Sequence, residues 1–356
     1  MRIIMNFSLA ARPLTATGRV HCGIAAVLAA ALLPAVALAQ GPNGSNTYYR
    51  AANGKSGAEL KTALFGIISK GTVKRTYKQL WTDFKTTDKR SDGKVWDMYS
   101  NATNYVFGTD QDKGSHPNEG YSYNREHSFP NSWWGGTGEN DCYMYTDLFH
   151  LYPTDAFVNE KRSSYPFGET NGSTYKSSGS FSKLGASTIS YYKGVVFEPN
   201  DEYKGDFART YFYMVTRYED VIGQWTTAKS HTLDGKKYPG LQKWQLDMLM
   251  RWAQLDPVSD KEVKRNRAVY GIQKNRNPFI DYPGLERLIW GDLQDMPFSY
   301  DDFEGALTID GVRTEPDAEG PDADAVYNIR GQRLDNDADR LPPGVYIRHG
   351  RKFIVK

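Results

Sequence analysis

The spacing of apolar residues divides this chain into helical flanks and an irregular middle. Residues 56–84 and 205–273 repeat apolar side chains at intervals of three and four, which is typical of amphipathic helices. From about Gly93 to Val196 that spacing is missing, and the chain is rich in Gly, Asn, Ser and Tyr, which favours short strands and loops. We therefore expect an α+β fold with a mainly helical body, in which the irregular middle carries the functional loops.

Local signals predict where several helices begin. Three pairs have the spacing of a capping box, namely Ser56–Glu59, Thr76–Gln79 and Ser259–Glu262. The third pair predicts a helix that runs to about Gln273. Residues 205–221 and 241–256 place aromatic and aliphatic side chains on one helical face, which indicates core packing rather than a cofactor site.

The first 39 residues have the pattern of a secretory signal peptide. Arg2, Arg12 and Arg19 precede an Ala-rich apolar run, and Ala37–Ala39 offers a small-residue cleavage site. The apolar run of about 16 residues is shorter than the roughly 20 that a membrane span requires. We expect a secreted or cell-surface protein that begins at Gln40 and has no stable membrane span; an uncleaved anchor is the alternative.

Cleavage would also remove one of the two cysteines and leave Cys142. A single cysteine cannot form an internal disulfide, so the fold must rest on packing or on a bound metal. We expect Cys142 to be a small buried side chain.

The composition predicts further boundaries along the chain. Residues 40–55 form a Gly/Asn-rich leader, 56–300 the main domain, and 301–325 a solvated linker rich in acids, Pro and Gly. Residues 326–356 contain two X-Gly pairs between alternating apolar segments, which predicts a small β module with little core of its own. From residue 301 onwards there are twelve acidic and eight basic residues, so the tail is acidic. The remaining body is mildly basic and tolerates a polyanionic substrate without requiring one.

A base, an acid and a cation stand side by side at residues 125–127. His127 can accept a proton near neutral pH, Glu126 offers oxygen ligands, and Arg125 has a planar fork that fits phosphate oxygens. Adjacent side chains of a regular strand point to opposite faces, so a shared site requires a strand end or a bend here. Pro130 is compatible with such a bend.

A second polar cluster follows at residues 147–162. If residues 155–162 are helical, Asp155 and Asn159 stack at i, i+4 and Asn159 and Arg162 at i, i+3, so an oxygen ligand and a cation share one face. Phosphodiester hydrolysis requires a base, a hard cation and positive donors. Oxygen ligands suit Mg²⁺, with Ca²⁺ or Mn²⁺ as alternatives. The same residues are also compatible with a hydrogen-bonded histidine among surface charges.

Several segments together resemble the bacterial endonuclease I family of secreted, non-specific nucleases. They read GKVWDMYS, NREHSFPNSWW, DLFHLYPTDAFVNEKRSSYPFGE, FEPNDEYKGDFARTYFYMVTRY and RNPFIDYP, and the resemblance spans roughly residues 58–291. It implies a ββα-metal (His-Me finger) site and single-metal cleavage of DNA, and often of RNA, with little sequence preference. Carried over by position, it implies that His127 is the general base and that Glu126 and Asn159 hold Mg²⁺.

This chain departs from the family pattern in the irregular middle. Phe149 and Tyr152 replace a His and an Arg that the family commonly has, and the segment GGTGENDCYMYT lacks the Arg that some members use to bind phosphate. Arg125 and Arg162 are therefore the candidates for holding the substrate phosphate. His150 remains, and we expect a structural hydrogen-bond donor there rather than a metal ligand.

The tail LPPGVYIRHGRKFIVK resembles the C-terminal sorting module of the type IX secretion system of Bacteroidetes. This resemblance implies contact with the secretion machinery, and a stabilising β appendage is the alternative.

We expect a monomeric nuclease that binds DNA, or DNA and RNA, through the phosphates of the nucleic acid. Two other functions are alternatives. The first is a secreted module that binds nucleic acid or glycan on exposed aromatic rings without catalysis. Trp133 and Trp134 are, however, more typical of packing residues. The second is a zinc hydrolase, for which neither H-E-x-x-H nor paired-Cys spacing is present. Its ligands would be His127, His150, Asp147 and Glu126.

Overall fold

A computed structural model gives the fold of most of the chain. It describes residues 40–135, 138, 142–225 and 230–302, and in the tail residues 326–328, 333–334, 341, 344–348 and 351–355. The predicted signal peptide and almost all of the predicted acidic linker lie outside the described residues. The described part mixes helices and sheets, so the predicted α+β class is confirmed.

Most helices precede or follow the irregular middle, as predicted. They are α1 (Gly57–Ser69), α2 (Leu80–Thr87), α3 (Ala156–Arg162), α4 (Lys204–Arg217), α5 (Lys243–Leu255), α6 (Asp260–Gln273), α7 (Pro278–Asp281) and α8 (Leu285–Trp290).

The strands in the described part of the chain form three antiparallel sheets. The first pairs β1 (Tyr123–His127) with β2 (Leu151–Asp155). The second has the order β3 (Tyr175–Lys176), β4 (Lys183–Ala186), β5 (Val195–Glu198). The third consists of β6 (Val326–Asn328), β7 (Arg333–Leu334), β8 (Gly344–Arg348) and β9 (Arg351–Val355) in the order β7-β6-β8-β9.

The third sheet lies within residues 326–356, where the sequence predicted a small β module. The two predicted hairpin turns lie outside the described residues, but antiparallel pairs flank both of them. Val326, Leu341 and Tyr346 form a small apolar cluster. That this segment is a sorting module stays a prediction. No helix in the described part of the chain is long and apolar enough to cross a membrane.

Helix α4 forms the centre of the main core. Every residue from Gly205 to Arg217 is buried, because α1 and α5 pack against it. The predicted apolar stripe was therefore too narrow, since polar members of the helix are buried as well. Arg209, for example, donates two hydrogen bonds, of 2.6 and 2.8 Å, to the carboxylate of Glu262 in α6.

Two of the three predicted capping boxes are formed. Ser259 and Glu262 exchange both hydrogen bonds at the start of α6, and Thr76 and Gln79 do the same just before α2. The third prediction was wrong in its detail: α1 begins after Ser56, but the Ser56 side chain makes no capping hydrogen bond. Glu59 instead lies 3.8 Å from Lys55, one turn earlier, and is largely exposed.

The two serine caps allow a matched test of capping. Replacing Ser259 by alanine should lower the free energy of unfolding by about 1 kcal/mol, because the backbone N–H of Glu262 loses its acceptor. Urea denaturation measures the difference. Ser56→Ala is the control and should change stability much less; equal effects of the two substitutions would contradict the assignment.

The unit β1–β2–α3 positions the polar clusters singled out in the sequence. Helix α3 follows β2 directly, because the Asp155 side chain accepts a 2.8 Å hydrogen bond from the backbone N–H of Val158 and caps the helix. The same carboxylate accepts hydrogen bonds from the Tyr105 hydroxyl and the Gly120 N–H. The start of α3 is thus fixed against the end of β2, and the helix packs against both strands.

Candidate active site

The side chains of β1 divide between two faces. Asn124 and Glu126 face α3, where Asn124 Oδ1 accepts a 2.7 Å hydrogen bond from Asn159 Nδ2 and Glu126 pairs with Arg162. His127 faces a group of aromatic rings on the other side. Strand pairing continues regularly through Glu126 and His127, which lie opposite Tyr152 and Leu151. The expected bend between the two residues is therefore absent, and their side chains point to opposite faces.

Glu126 is a buried carboxylate with a charged partner. Its Oε1 accepts hydrogen bonds from the Tyr99 hydroxyl at 2.9 Å and from Arg162 Nη1 at 2.5 Å. Burial raises the pKa of Glu126, and the Arg162 guanidinium and the Tyr99 hydroxyl oppose that rise. Both of these side-chain hydrogen bonds go to Oε1, so neither of them occupies Oε2.

Arg162 lies in the interior rather than on a substrate surface. Its side chain is 1% exposed. Besides Glu126, its Nη1 donates to the His127 carbonyl at 2.9 Å, and its Nη2 donates to the Ser128 carbonyl. The burial of Arg162 argues against its predicted contact with a substrate phosphate. The guanidinium instead compensates Glu126 and holds the end of β1.

Arg125 is the better placed of the two predicted phosphate-binding arginines. Its guanidinium lies 3.5 Å from the ring centroid of Tyr77 and 4.3 Å from that of Trp81, and its Nη1 donates to the Tyr77 carbonyl at 2.7 Å. The residue is partly exposed. Its position at a partly exposed site is compatible with contact to a phosphate.

His127 is held in one orientation by the main chain. Its Nε2 lies 2.9 Å from the carbonyl oxygen of Tyr145. A carbonyl oxygen only accepts hydrogen bonds, so Nε2 carries the proton and Nδ1 keeps its lone pair. Burial lowers the pKa of His127 well below its ordinary value, and the nearby His150 lowers it further. The imidazole is thus neutral at neutral pH, with Nδ1 as the acceptor.

Aromatic rings surround the His127 imidazole. Tyr77 stacks on it at 5.9 Å with an interplanar angle of 12°, and Tyr145, Trp134 and His150 contact its other sides. The residue as a whole is partly exposed. The neighbouring rings therefore fix the orientation of the imidazole without burying the residue completely.

His150 lies behind His127 and is fully buried. Its Nε2 donates to the Met144 carbonyl at 2.5 Å, and its own carbonyl accepts two hydrogen bonds from Ser128. This agrees with the prediction of a structural hydrogen-bond donor. Burial lowers the pKa of His150 to about 4, so the imidazole is neutral.

The predicted zinc alternative finds no support in the structure. Asp147 uses its oxygens to accept hydrogen bonds from Tyr213, Tyr218, Gln273 and the Phe149 N–H. Within the described ranges, no three His, Cys, Asp or Glu side chains come together as a metal site.

The predicted ligands of a hard cation are compatible with the arrangement around α3. Asn159 Nδ2 donates to Asn124, which leaves Asn159 Oδ1 as an acceptor. Asn159 and Arg162 share one face of α3, and that face meets Asn124 and Glu126 on β1. Glu126 Oε2 and Asn159 Oδ1 are hard oxygen donors, which fits Mg²⁺ better than a softer metal.

The structure also bears on the roles predicted for Trp133, Trp134 and Cys142, which lie between β1 and β2. Trp133 and Trp134 are 0% and 7% exposed and pack against Phe129, so their predicted packing role is confirmed. Cys142 is only partly buried, although it packs against the main core, so the prediction of a buried side chain holds only in part.

The sequence did not indicate several residues that complete the site. Tyr77, Tyr99 and Tyr145 reach Glu126 and His127 from distant segments, and no local pattern marks them. Asn124 had a usable signal, because its position two residues before Glu126 places it on the same face of a strand.

Comparison with known proteins agrees with the resemblance seen in the sequence. The family model described as Endonuclease I matches residues 56–284. An extracellular ribonuclease of Bacillus amyloliquefaciens is 37% identical over 251 residues, which cover 69% of this chain and 78% of that protein. An extracellular ribonuclease of Bacillus subtilis is 35% identical over 252 residues, with coverages of 69% and 79%. An extracellular deoxyribonuclease of Aeromonas hydrophila is 26% identical over 155 residues, with coverages of 42% and 58%.

Proposed function

Because the chain belongs to the endonuclease I family and is therefore a hydrolase that acts as an endonuclease, we propose that it is a secreted, Mg²⁺-dependent enzyme that cleaves DNA and RNA with little sequence preference. The names of the relatives support both substrates, since two are called ribonucleases and one a deoxyribonuclease, and all three are called extracellular. Family membership also disfavours the alternative of a module that binds nucleic acid or glycan without catalysis.

The hydrogen bond from His127 Nε2 to the Tyr145 carbonyl carries the mechanistic part of the proposal. It leaves Nδ1 as the only ring nitrogen that can accept a proton. We assign His127 as the general base, which takes a proton from the attacking water at Nδ1. The lowered pKa keeps the ring unprotonated at neutral pH, while it also makes Nδ1 a weaker base than a free imidazole.

Glu126 and Asn159 would hold the metal ion through Oε2 and Oδ1, in a ββα-metal (His-Me finger) site. Mg²⁺ bound there would neutralise the negative charge that develops on the phosphate. Arg162 keeps the Glu126 carboxylate in place, and the partly exposed Arg125 would contact a phosphate oxygen. Since Glu126 and His127 lie on opposite faces at the end of β1, the proposal requires the scissile phosphate to lie across that strand end.

The metal requirement gives the main test of this function. Supercoiled plasmid, single-stranded DNA and RNA should each be degraded with Mg²⁺, and EDTA should stop all three reactions. Asn159→Ala should raise the Mg²⁺ concentration for half-maximal rate by at least about tenfold, because one of two protein ligands is lost. Glu160→Gln, on the exposed neighbour, is the control and should leave that concentration unchanged. Undiminished cleavage in EDTA would rule out the metal site.

A further inference from the structure

The positive charge of the main body is concentrated in one short segment next to the candidate active site. Residues 40–300 contain 33 basic and 30 acidic residues, which gives a formal charge of +3. Residues 70–89 alone contain six basic residues and two aspartates, which gives +4. The rest of the body is therefore slightly negative, and its mildly basic character arises from this segment.

The two aspartates of this segment do not neutralise its surface. Asp83 is 6% exposed and accepts two hydrogen bonds from Arg75, of 2.8 and 2.9 Å. Asp88 is 2% exposed and pairs at 2.8 Å with Arg265 of α6. Four of the basic residues are exposed lysines, namely Lys70, Lys78, Lys85 and Lys89. The outer surface of the segment is therefore cationic.

Helix α2 places two of these lysines on one exposed stripe. The buried residues of the helix lie on one side and are Leu80, Asp83, Phe84 and Thr87. Lys78 just before the helix, Thr82 and Lys85 are exposed on the opposite side, and we call these three residues the α2 stripe. A rise of 1.5 Å per residue separates the two lysines by about 10 Å. Phosphates of one strand are spaced by about 3.4 Å along the axis, so the two lysines can contact different phosphates.

The α2 stripe borders the proposed phosphate contact at Arg125. Trp81 lies three residues after the first lysine of the stripe and four before the second, which makes it a neighbour of both on the helix surface. The Arg125 guanidinium lies 4.3 Å from the ring centroid of Trp81 and 3.5 Å from that of Tyr77, and Tyr77 stacks on His127. A continuous cationic surface therefore leads from the candidate active site onto α2.

We propose that the α2 stripe binds the phosphate backbone of the substrate beside the position of cleavage. The inference rests on the proposed function for the identity of the ligand. Lys78 and Lys85 contact phosphates other than the scissile one, because they lie beyond Arg125 and Trp81 as seen from His127. Ammonium groups that contact phosphates do not read base identity, so the stripe holds the strand without adding sequence preference.

A local surface of this kind is needed because the body as a whole is close to neutral. Non-specific binding of nucleic acid depends almost entirely on the phosphates that a protein neutralises. With a formal charge of only +3 on residues 40–300, that attraction must come from a region where positive charge is concentrated. Residues 70–89 provide such a region next to the proposed general base.

Binding measured in EDTA tests the α2 stripe without cleavage. The probe is a fluorescent single-stranded oligonucleotide, and anisotropy gives the dissociation constant at several salt concentrations. Lys78→Gln and Lys85→Gln should each reduce the slope of log affinity against log salt by about 0.7, the contribution of one phosphate contact, and the double variant by about 1.4. The ratio of wild-type to double-variant affinity should then rise about sevenfold when salt falls from about 200 to about 50 mM.

A charge-conserving variant separates this role from a structural one. Lys78→Arg combined with Lys85→Arg keeps both positive charges and should keep the wild-type slope. Both positions are exposed, and Gln and Arg have helix propensities close to that of Lys, so neither double variant should change the stability measured by urea denaturation.

Lys243→Gln is the matched control. Lys243 is an exposed lysine of α5 whose charge is already compensated by Asp247 at 2.7 Å, so this substitution should change the slope little. The proposal is overturned if the double glutamine variant keeps the wild-type slope, if Lys243→Gln lowers the slope as much as either single substitution in the stripe, or if the wild type shows no salt-dependent binding. Because no cleavage is needed, failure of the nuclease assay with the expected binding results would sink the proposed function and leave the assignment of the α2 stripe standing.

Discussion

Replacing His127 by glutamine should reduce the rate of nucleic-acid cleavage by roughly 10²–10⁴-fold, the range that a general base contributes. Glutamine can still donate a hydrogen bond to the Tyr145 carbonyl, but its amide cannot accept a proton from water. The substitution therefore removes the base and keeps the hydrogen bond that ties this position to residues 143–146. Initial rates with plasmid and RNA in Mg²⁺ measure the effect, and circular dichroism verifies the fold.

A second histidine provides the control for this experiment. His231 is exposed and has a positive φ of 52°, a conformation that asparagine tolerates well. His231→Asn should therefore keep the wild-type rate. If His127→Gln retained more than about a tenth of the activity, the role of His127 as general base would be wrong.

Arg162→Met should lower the free energy of unfolding by about 3–5 kcal/mol. The substitution leaves the Glu126 carboxylate buried without its cation, and it removes the donors to the carbonyls of His127 and Ser128. Methionine fills much of the same volume, so the loss of packing is small. Equilibrium unfolding in urea measures the change.

The partner of Arg162 allows a double-variant test. Combining Glu126→Gln with Arg162→Met should recover part of the lost stability, because no uncompensated charge remains in the interior. Arg125→Met makes the same substitution at a partly exposed arginine and should destabilise the protein much less. Equal losses for Arg125→Met and Arg162→Met would mean that the buried pair is not the source of the effect.

Local sequence signals were sufficient to predict most helices. The Ser259–Glu262 box and the apolar spacing after it predicted α6 to its last residue. The helix at residues 155–162 was only a condition in the sequence argument, and α3 meets that condition. These signals act over one or two turns, so a single sequence contains them. At Ser56 the helix begins as predicted but the capping hydrogen bond is absent, and Glu59 lies near Lys55; spacing alone does not distinguish these outcomes.

The environment of the candidate site depends on contacts that no local pattern contains. Arg125 and Arg162 had equal standing in the sequence, but the first lies against the partly buried rings of Tyr77 and Trp81 and the second is buried beside Glu126. The burial of Arg162 arises from the packing of α3 on β1, which joins residues 36 positions apart. In the same way, Tyr77 reaches His127 from the segment before α2, and Tyr145 reaches it from the loop between β1 and β2.

The acceptor that orients His127 belongs to the polypeptide backbone, and this affects how the enzyme tolerates mutation. No exchange of the side chain at position 145 deletes a carbonyl oxygen. If His127 is the general base, as proposed, it is therefore protected from the single substitutions that would disable a histidine–carboxylate dyad. Its weak point is the length and path of residues 143–146 instead. An insertion or deletion in residues 143–146 would displace the Tyr145 carbonyl, and we expect it to reduce cleavage activity more than most point mutations in this loop. This loop is therefore a suitable place to engineer an inactive variant.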